Sequence, residues 1–151
     1  SIPRMVIFEP VDEVQLRAAM PVLNAYDGPV YVRLFRKQLP VVFGDDYKFD
    51  LFKADTIKEG KDLTIFVSGF LTKDVLEASE KLAEEGIDAE IVNVHTIKPI
   101  DRETVIASAT PILHYCLSSI PICSRPFRIF FMAADTSASS NVLSFARKVM
   151  E

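Results

Sequence analysis

Residues 62–101 constrain the fold of this chain more than any other stretch. Residues 63–67 form a short apolar run, which is typical of a strand buried on both faces. Thr72 is predicted to cap an amphipathic helix, and Gly86 stands where a left-handed residue would end it. Residues 89–94 predict a second strand. A strand, helix and strand this closely spaced need a right-handed parallel crossover, so an α/β sheet covered on both faces is the leading architecture.

A second, smaller crossover unit precedes this stretch. Residues 5–8 predict a strand, Asp12 has the position of a helix cap, and residues 30–35 predict another strand. Pro21 is expected to kink the intervening helix or to split it after Met20. Since two strands and one helix cannot bury both faces of a sheet, the unit either joins the later sheet or closes a domain that begins earlier.

The remaining segments complete the predicted organisation. Asp101 is expected to cap a helix over residues 102–109. The other predicted elements are a short strand at 49–53 or 54–58, strands at 112–116 and 128–134, and a helix over 140–150. The predicted domains are 1–38, a linker over 39–58, and 59–151, in which 110–151 has an atypical sequence.

The bulk composition excludes several classes of function. The 151 residues are 49% hydrophobic and 25% charged, with a formal net charge of −4, so nothing favours binding to nucleic acid or to an anionic membrane. No apolar run reaches the roughly 18 residues of a membrane span. Cys116 and Cys123 have no accompanying histidine cluster, which indicates reduced thiols rather than a metal site. We therefore expect a cytosolic protein.

Three sequence segments carry a family resemblance. They are DGPVYVRLFR at 27–36, EGKDLTIFVSGF at 59–70 and EASEKLAEEGIDAEIVNVHTIKPID at 77–101. In this order they resemble the transketolase group of thiamine diphosphate enzymes, and most closely the separately encoded C-terminal section. The resemblance implies the end of a pyrimidine-binding domain, a linker, and a three-layer α/β/α domain whose mostly parallel sheet carries one antiparallel edge strand. It covers roughly residues 1–109, and either a divergent tail or a reading-frame change accounts for the rest.

Arg36 and Arg33 are the candidate substrate-phosphate ligands. The resemblance implies that Arg36, at the end of a strand in the pyrimidine-binding domain, clamps the sugar phosphate. A guanidinium at the carboxyl end of a parallel strand faces the crevice where α/β ligands bind, and it can hold phosphate oxygens bidentately. The alternative for Arg36 is a surface ion pair near Asp45, Asp46 or Glu13, while strand alternation could turn Arg33 to the other face.

No catalytic residue is predicted in this chain. His95 follows a strand but has no nucleophile or carboxylate nearby in sequence, so a structural or interface role is favoured, as it is for His114. The Ser68-Gly69-Phe70 turn has the position of an anion-binding turn, but its single glycine makes a nucleotide site a weak hypothesis.

The resemblance implies a function for the complete enzyme. That enzyme would be a transferase that moves two-carbon ketol units between sugar phosphates with thiamine diphosphate and a divalent metal, Mg²⁺ or Ca²⁺. The family's cofactor residues lie in other segments, so we expect no cofactor in this chain and no activity alone. The expected partners are an N-terminal transketolase section and a second copy in a dimer. The alternatives are a beta-subunit section of a 2-oxoacid dehydrogenase, a deoxyxylulose-phosphate synthase, and a non-catalytic regulatory or scaffolding module.

Overall fold

The computed structural model describes residues 2–36 and 39–109 with their side chains, and the backbone alone of two further strands at 114–119 and 128–133. The elements are β1 (Val6–Phe8), α1 (Glu13–Ala25), β2 (Val30–Val32), β3 (Asp55–Lys58), β4 (Leu63–Val67), α2 (Thr72–Glu84), β5 (Ala89–Asn93), β6 (Thr96–Lys98), α3 (Arg102–Ala109), β7 (His114–Ser119) and β8 (Arg128–Ala133). The helix predicted over 140–150 lies outside the described residues.

The first crossover unit forms a three-stranded sheet in the order β2-β1-β6. Strands β1 and β2 are parallel and α1 connects them, as predicted. The other edge of β1 pairs with β6, which is antiparallel to it and follows β5 in the chain. The first crossover unit therefore forms its own sheet and does not join the later one, but this sheet includes β6 from the later part of the chain. Strand β6 was not predicted, because three residues are too few to show alternation.

The second sheet has five strands in the order β3-β5-β4-β7-β8. The central strands β5, β4 and β7 are mutually parallel. Strand β3 is antiparallel to β5 at one edge, which confirms the short strand at 54–58 and an antiparallel edge, although only one such edge was expected. Strand β8 is antiparallel to β7 at the other edge, so both edges differ in direction from the centre.

Helices cover both faces of this sheet. Helix α2 packs its Leu82 and Val75 on Leu63 and Ile65 of β4, whereas α3 packs near Phe66 on the other face. Successive strand residues point to opposite faces, so α2 and α3 lie on opposite sides and the three-layer α/β/α prediction is confirmed. None of the helices in the described part of the chain is long and apolar enough to cross a membrane.

Several predicted helix ends are confirmed. The Asp12 side chain accepts a hydrogen bond from the Gln15 backbone N–H at 2.8 Å. The Asp101 side chain accepts one from the Thr104 backbone N–H at 3.2 Å. Gly86 has a φ of +82°, which is the left-handed conformation that glycine adopts without strain.

Two local predictions are wrong, and a third is wrong in part. Helix α2 begins at Thr72 after a 3₁₀ turn over Gly69–Leu71, and the Thr72 hydroxyl donates back to the Gly69 carbonyl at 2.8 Å instead of capping. Helix α1 continues through Pro21 and is not split after Met20, whereas the alternative of a kink stays a prediction. Strand β2 ends at Val32 and not at residue 35.

Candidate functional site

The carboxyl ends of the parallel strands from the two sheets meet. The Glu9 backbone N–H, just after β1, donates to the His95 carbonyl, just after β5, at 2.8 Å. The Val94 N–H donates to the carbonyl of Val67, the last residue of β4, at 2.7 Å. Ligands of α/β proteins bind at the carboxyl ends of parallel strands. This junction of strand ends is therefore the candidate site.

A buried carboxylate joins three of these strand ends. Glu9 is only 4% exposed. Its Oε1 accepts from Arg33 Nε at 3.1 Å and its Oε2 accepts from Ser68 Oγ at 3.0 Å. A buried charge is tolerated when it is paired and hydrogen-bonded, and here both oxygens have a partner. We call Glu9, Arg33 and Ser68 the Glu9 clasp; its members follow β1, β2 and β4.

Gly69 makes room for this carboxylate. Its φ is +62°, and a Cβ at this position would lie 2.6 Å from the Cγ, Cδ and Oε1 of Glu9. Both the backbone conformation and the space therefore require glycine. The Ser68-Gly69 turn has the position of an anion-binding turn, and the anionic group beside it is the chain's own Glu9 carboxylate.

The two candidate arginines lie on the segment that leaves β2. Arg33 extends the β1–β2 ladder, since its backbone N–H donates to the Phe8 carbonyl at 2.8 Å. Its side chain is 24% exposed and pairs with Glu9. Arg36 is exposed. The neighbouring Phe35 ring stacks on Phe70, with centroids 4.2 Å apart and planes at 20°. Phosphate binding by Arg36 and Arg33 stays a prediction.

A second polar cluster lies between α1, β5 and residues 39–58, the predicted linker, which we call the connector. The Asp55 Oδ2 atom accepts from Tyr47 Oη at 2.8 Å, from Gln15 Nε2 at 2.9 Å and from Asn93 Nδ2 at 3.4 Å. The His95 Nε2 atom is 3.7 Å from the same oxygen. We call these five residues the Asp55 node. Three donors on one oxygen favour the ionised carboxylate.

Burial controls the ionisation of this node. Burial raises the pKa of Asp55 and the pKa of Tyr47, and it lowers the pKa of His95. The Thr96 hydroxyl donates to the Leu51 carbonyl at 2.6 Å, so its oxygen is left to accept from His95 Nδ1 at 3.0 Å. This assigns the proton of the neutral ring to Nδ1.

His95 occupies a structural environment. It is fully buried, and its ring packs against Phe49 with centroids 4.9 Å apart and against Phe8 at 5.8 Å. Only the backbone is described for His114, so the structure does not place its side chain. Within residues 2–36 and 39–109, no three His, Cys, Asp or Glu side chains form a group that could hold a metal ion.

Sequence reasoning missed the Glu9 clasp and most of the Asp55 node. Glu9 and Ser68 each follow an apolar strand directly, and that position was the available signal for Glu9. Gln15 lies three residues after Asp12, a spacing that by itself indicates only a capping box. Its side chain is fully buried and reaches Tyr47 and Asp55, contacts that depend on tertiary structure and leave no local pattern.

The fold and the junction define a class: an α/β protein whose candidate site lies where the carboxyl ends of two parallel strand sets meet. Residues 52–116 match the family model of the transketolase C-terminal domain. Together with the relatives described next, this match confirms the resemblance to a C-terminal section of the transketolase family.

Individual relatives agree with this assignment. The 6-deoxy-6-sulfo-D-fructose transketolase subunit SqwH of Clostridium sp. (strain MSTE9) is 48% identical over 109 residues, which are 72% of this chain and 34% of that protein. One subunit of the apulose-4-phosphate transketolase of Phocaeicola vulgatus is 38% identical over 110 residues, or 72% of this chain and 35% of that protein. Matches also include a 1-deoxy-D-xylulose-5-phosphate synthase and the beta chain of a pyruvate dehydrogenase E1 component. The chain thus spans about a third of the length of the first two.

One solved structure is similar to this chain in both fold and sequence. A split-gene transketolase, described as an inactive beta4 tetramer, is 39% identical with a TM-score of 0.75. The match covers 78% of this chain and 39% of that one. The architecture of the described residues is therefore that of a transketolase-like section.

Proposed function

We propose that this chain is a section of a transketolase-like transferase that moves two-carbon ketol units between sugar phosphates. The matched relatives support the reaction class. The single structural observation that carries the proposal is the exposed Arg36 on the segment leaving β2, beside the junction of strand ends. Its guanidinium would bind the terminal phosphate of the substrate bidentately. Arg33 would add positive charge, and its contacts would come from its terminal nitrogens because Nε serves Glu9.

The cofactor would be held by other parts of the enzyme. Thiamine diphosphate with Mg²⁺ or Ca²⁺ supplies the carbanion chemistry of this class when bound. The donor set described in this chain does not fit that group, since the described residues hold no cluster of three or more His, Cys, Asp or Glu suited to a metal. We therefore assign the cofactor to an N-terminal transketolase section, with a second copy of this chain as the dimer partner.

A substrate ending in a sulfonate is a second candidate. The relative named as a 6-deoxy-6-sulfo-D-fructose transketolase subunit is 48% identical to this chain. A sulfonate offers three oxygens to a guanidinium, as a phosphate does, but it carries a single negative charge. The Glu9 carboxylate offsets the charge of Arg33, and this arrangement is compatible with a singly charged end group.

The test requires the assembled enzyme. The chain is combined with an N-terminal transketolase section, and ketol transfer is measured with a sugar phosphate and with the same sugar lacking phosphate. Arg36→Ala should raise KM for the sugar phosphate about 10- to 100-fold, as expected for losing charged hydrogen bonds, and leave the unphosphorylated sugar unaffected. Arg17→Ala is the matched control, because that exposed arginine lies on α1 and pairs only weakly with Glu13 at 3.8 Å.

Three results would contradict parts of the proposal. An unchanged KM in Arg36→Ala would remove the phosphate-binding assignment. Turnover of pyruvate in place of a ketose donor would favour the 2-oxoacid dehydrogenase or deoxyxylulose-phosphate synthase alternatives. A well-folded assembly without ketol transfer would favour a non-catalytic regulatory or scaffolding module.

A further inference from the structure

The segment that carries Arg36 is anchored at two places, and both anchors end on the same turn of the other sheet. Arg33 is bound by Glu9, and Glu9 is in turn bound by Ser68. Phe35 stacks on Phe70. Ser68 and Phe70 flank Gly69, at the start of the turn that follows β4. Residues 33 and 35, just before Arg36, are therefore both tied to the strand end of the second sheet.

We infer that Glu9 and Phe70 are positioning residues that hold Arg36 where it can bind the anionic end of a substrate. This inference rests on the phosphate-binding role proposed for Arg36. Neither residue needs to touch the substrate. Each acts on the residues before Arg36 in the chain: Glu9 through the Arg33 side chain, and Phe70 through the Phe35 ring.

The physical reason is pre-organisation. An arginine on an exposed segment loses backbone and side-chain freedom when it binds an anion, and that loss lowers affinity. Anchors that fix the segment beforehand reduce the loss. The Glu9 anchor is strong because its carboxylate is buried and has ionic and hydrogen-bonded partners on opposite oxygens. The Phe70 anchor is apolar and partly buried, so the two anchors can be weakened separately.

The two substitutions are chosen to keep the fold. Glu9→Gln removes the charge but retains an oxygen that can accept from Arg33. Phe70→Leu removes the ring stack but keeps an apolar side chain in the half-buried position. The matched controls are Glu103→Gln, which breaks an exposed ion pair with Lys53, and Phe52→Leu, which alters a half-exposed ring 6.2 Å from Tyr26. Circular dichroism and thermal melting check that each variant is folded.

The assay uses the chain assembled with the N-terminal transketolase section, and compares a sugar phosphate with the same sugar lacking phosphate. We expect Glu9→Gln and Phe70→Leu each to raise KM for the sugar phosphate about tenfold. We expect kcat to be retained, the unphosphorylated sugar to be unaffected and the control variants to behave like the parent. In the Arg36→Ala background neither substitution should add a further loss, because the residue they position is gone.

The outcomes separate the inference from the function on which it rests. If Arg36→Ala discriminates against the phosphorylated sugar but Glu9→Gln and Phe70→Leu do not, the positioning role is wrong and the proposed function stands. If both variants lower activity equally with either sugar, or add fully to Arg36→Ala, their role is structural and the inference is wrong. If Arg36→Ala itself does not discriminate, the phosphate-binding role and the positioning role fall together.

Discussion

Replacement of Gly69 by alanine is the sharpest test of the Glu9 clasp. The new Cβ would lie 2.6 Å from three atoms of the Glu9 side chain, a separation that atoms do not tolerate. Glu9 cannot move aside cheaply, because it is 4% exposed and holds both Arg33 and Ser68. Either the clasp breaks or the turn that follows β4 shifts.

The expected loss has two parts. A left-handed conformation costs a residue with a Cβ about 1–2 kcal/mol, and Gly69 has a φ of +62°. Overpacking a filled site adds about 1–3 kcal/mol. We therefore expect Gly69→Ala to lower the free energy of unfolding by about 2–5 kcal/mol.

Gly86→Ala is a matched control within the same chain. Gly86 also has a positive φ, +82°, but an added Cβ would meet nothing within 4 Å. It should therefore lose only the conformational part, about 1–2 kcal/mol. In both variants glycine is replaced by alanine, which lowers the conformational entropy of the unfolded chain by the same amount. This entropy contribution therefore cancels when the two losses are compared. The difference between the two losses isolates the contact with Glu9.

Urea unfolding of the chain provides the measurement. The sequence contains no tryptophan, so the transition is followed by far-ultraviolet circular dichroism. A second background supplies the confirming result: when Glu9→Ala removes the three clashing atoms, the loss caused by Gly69→Ala should fall to the level of Gly86→Ala. Equal losses for Gly69→Ala and Gly86→Ala in the parent chain would refute the claim that Gly69 makes room for Glu9.

Two further substitutions test the polar contacts that hold the connector. Asp101→Ala should lower the free energy of unfolding by about 1–2 kcal/mol, because it removes the cap of α3 and the acceptor of the Ala54 N–H. Partial burial acts to raise the pKa of Asp101, but hydrogen bonds from Thr104 and Ala54 outweigh it and lower that pKa. The difference in the free energy of unfolding between parent and variant should therefore shrink as the pH falls through the lowered pKa. A difference that stays constant with pH would contradict this. Gln15→Ala should cost about 2–3 kcal/mol in the same assay, because Asp55 loses a buried donor, and an unchanged midpoint would show that the Asp55 node does not join α1 to the connector.

Local sequence chemistry predicted several elements of residues 62–101 well. The apolar run of β4 coincides with Leu63–Val67, and the positive φ of Gly86 follows from its place at the helix end. These features depend on side chains a few residues apart, and such patterns are readable in one dimension. The capping role of Asp101 was predictable for the same reason.

Contacts between distant segments were not predictable in this way. Strand β6 exists because residues 96–98 reach the free edge of β1, more than eighty positions earlier in the sequence. Its pairing is set by the meeting of the two sheets and not by any alternation of its own. Glu9 likewise stands out in the sequence only as a polar residue that follows a strand. Its partners Arg33 and Ser68 are 24 and 59 positions away, so the contacts could not be predicted locally.

The connector attaches the two crossover units to each other. Leu51 packs in the core of the first unit with Val6 and Phe8, whereas β3 pairs with β5 of the second sheet. Between them, Tyr47 and Asp55 bind Gln15 of α1. Separating the units would leave buried polar groups without partners, at about 1–3 kcal/mol for each group. The relative position of the two sheets is therefore maintained by the same polar side chains that surround the strand ends, which is the condition a site built across that junction requires.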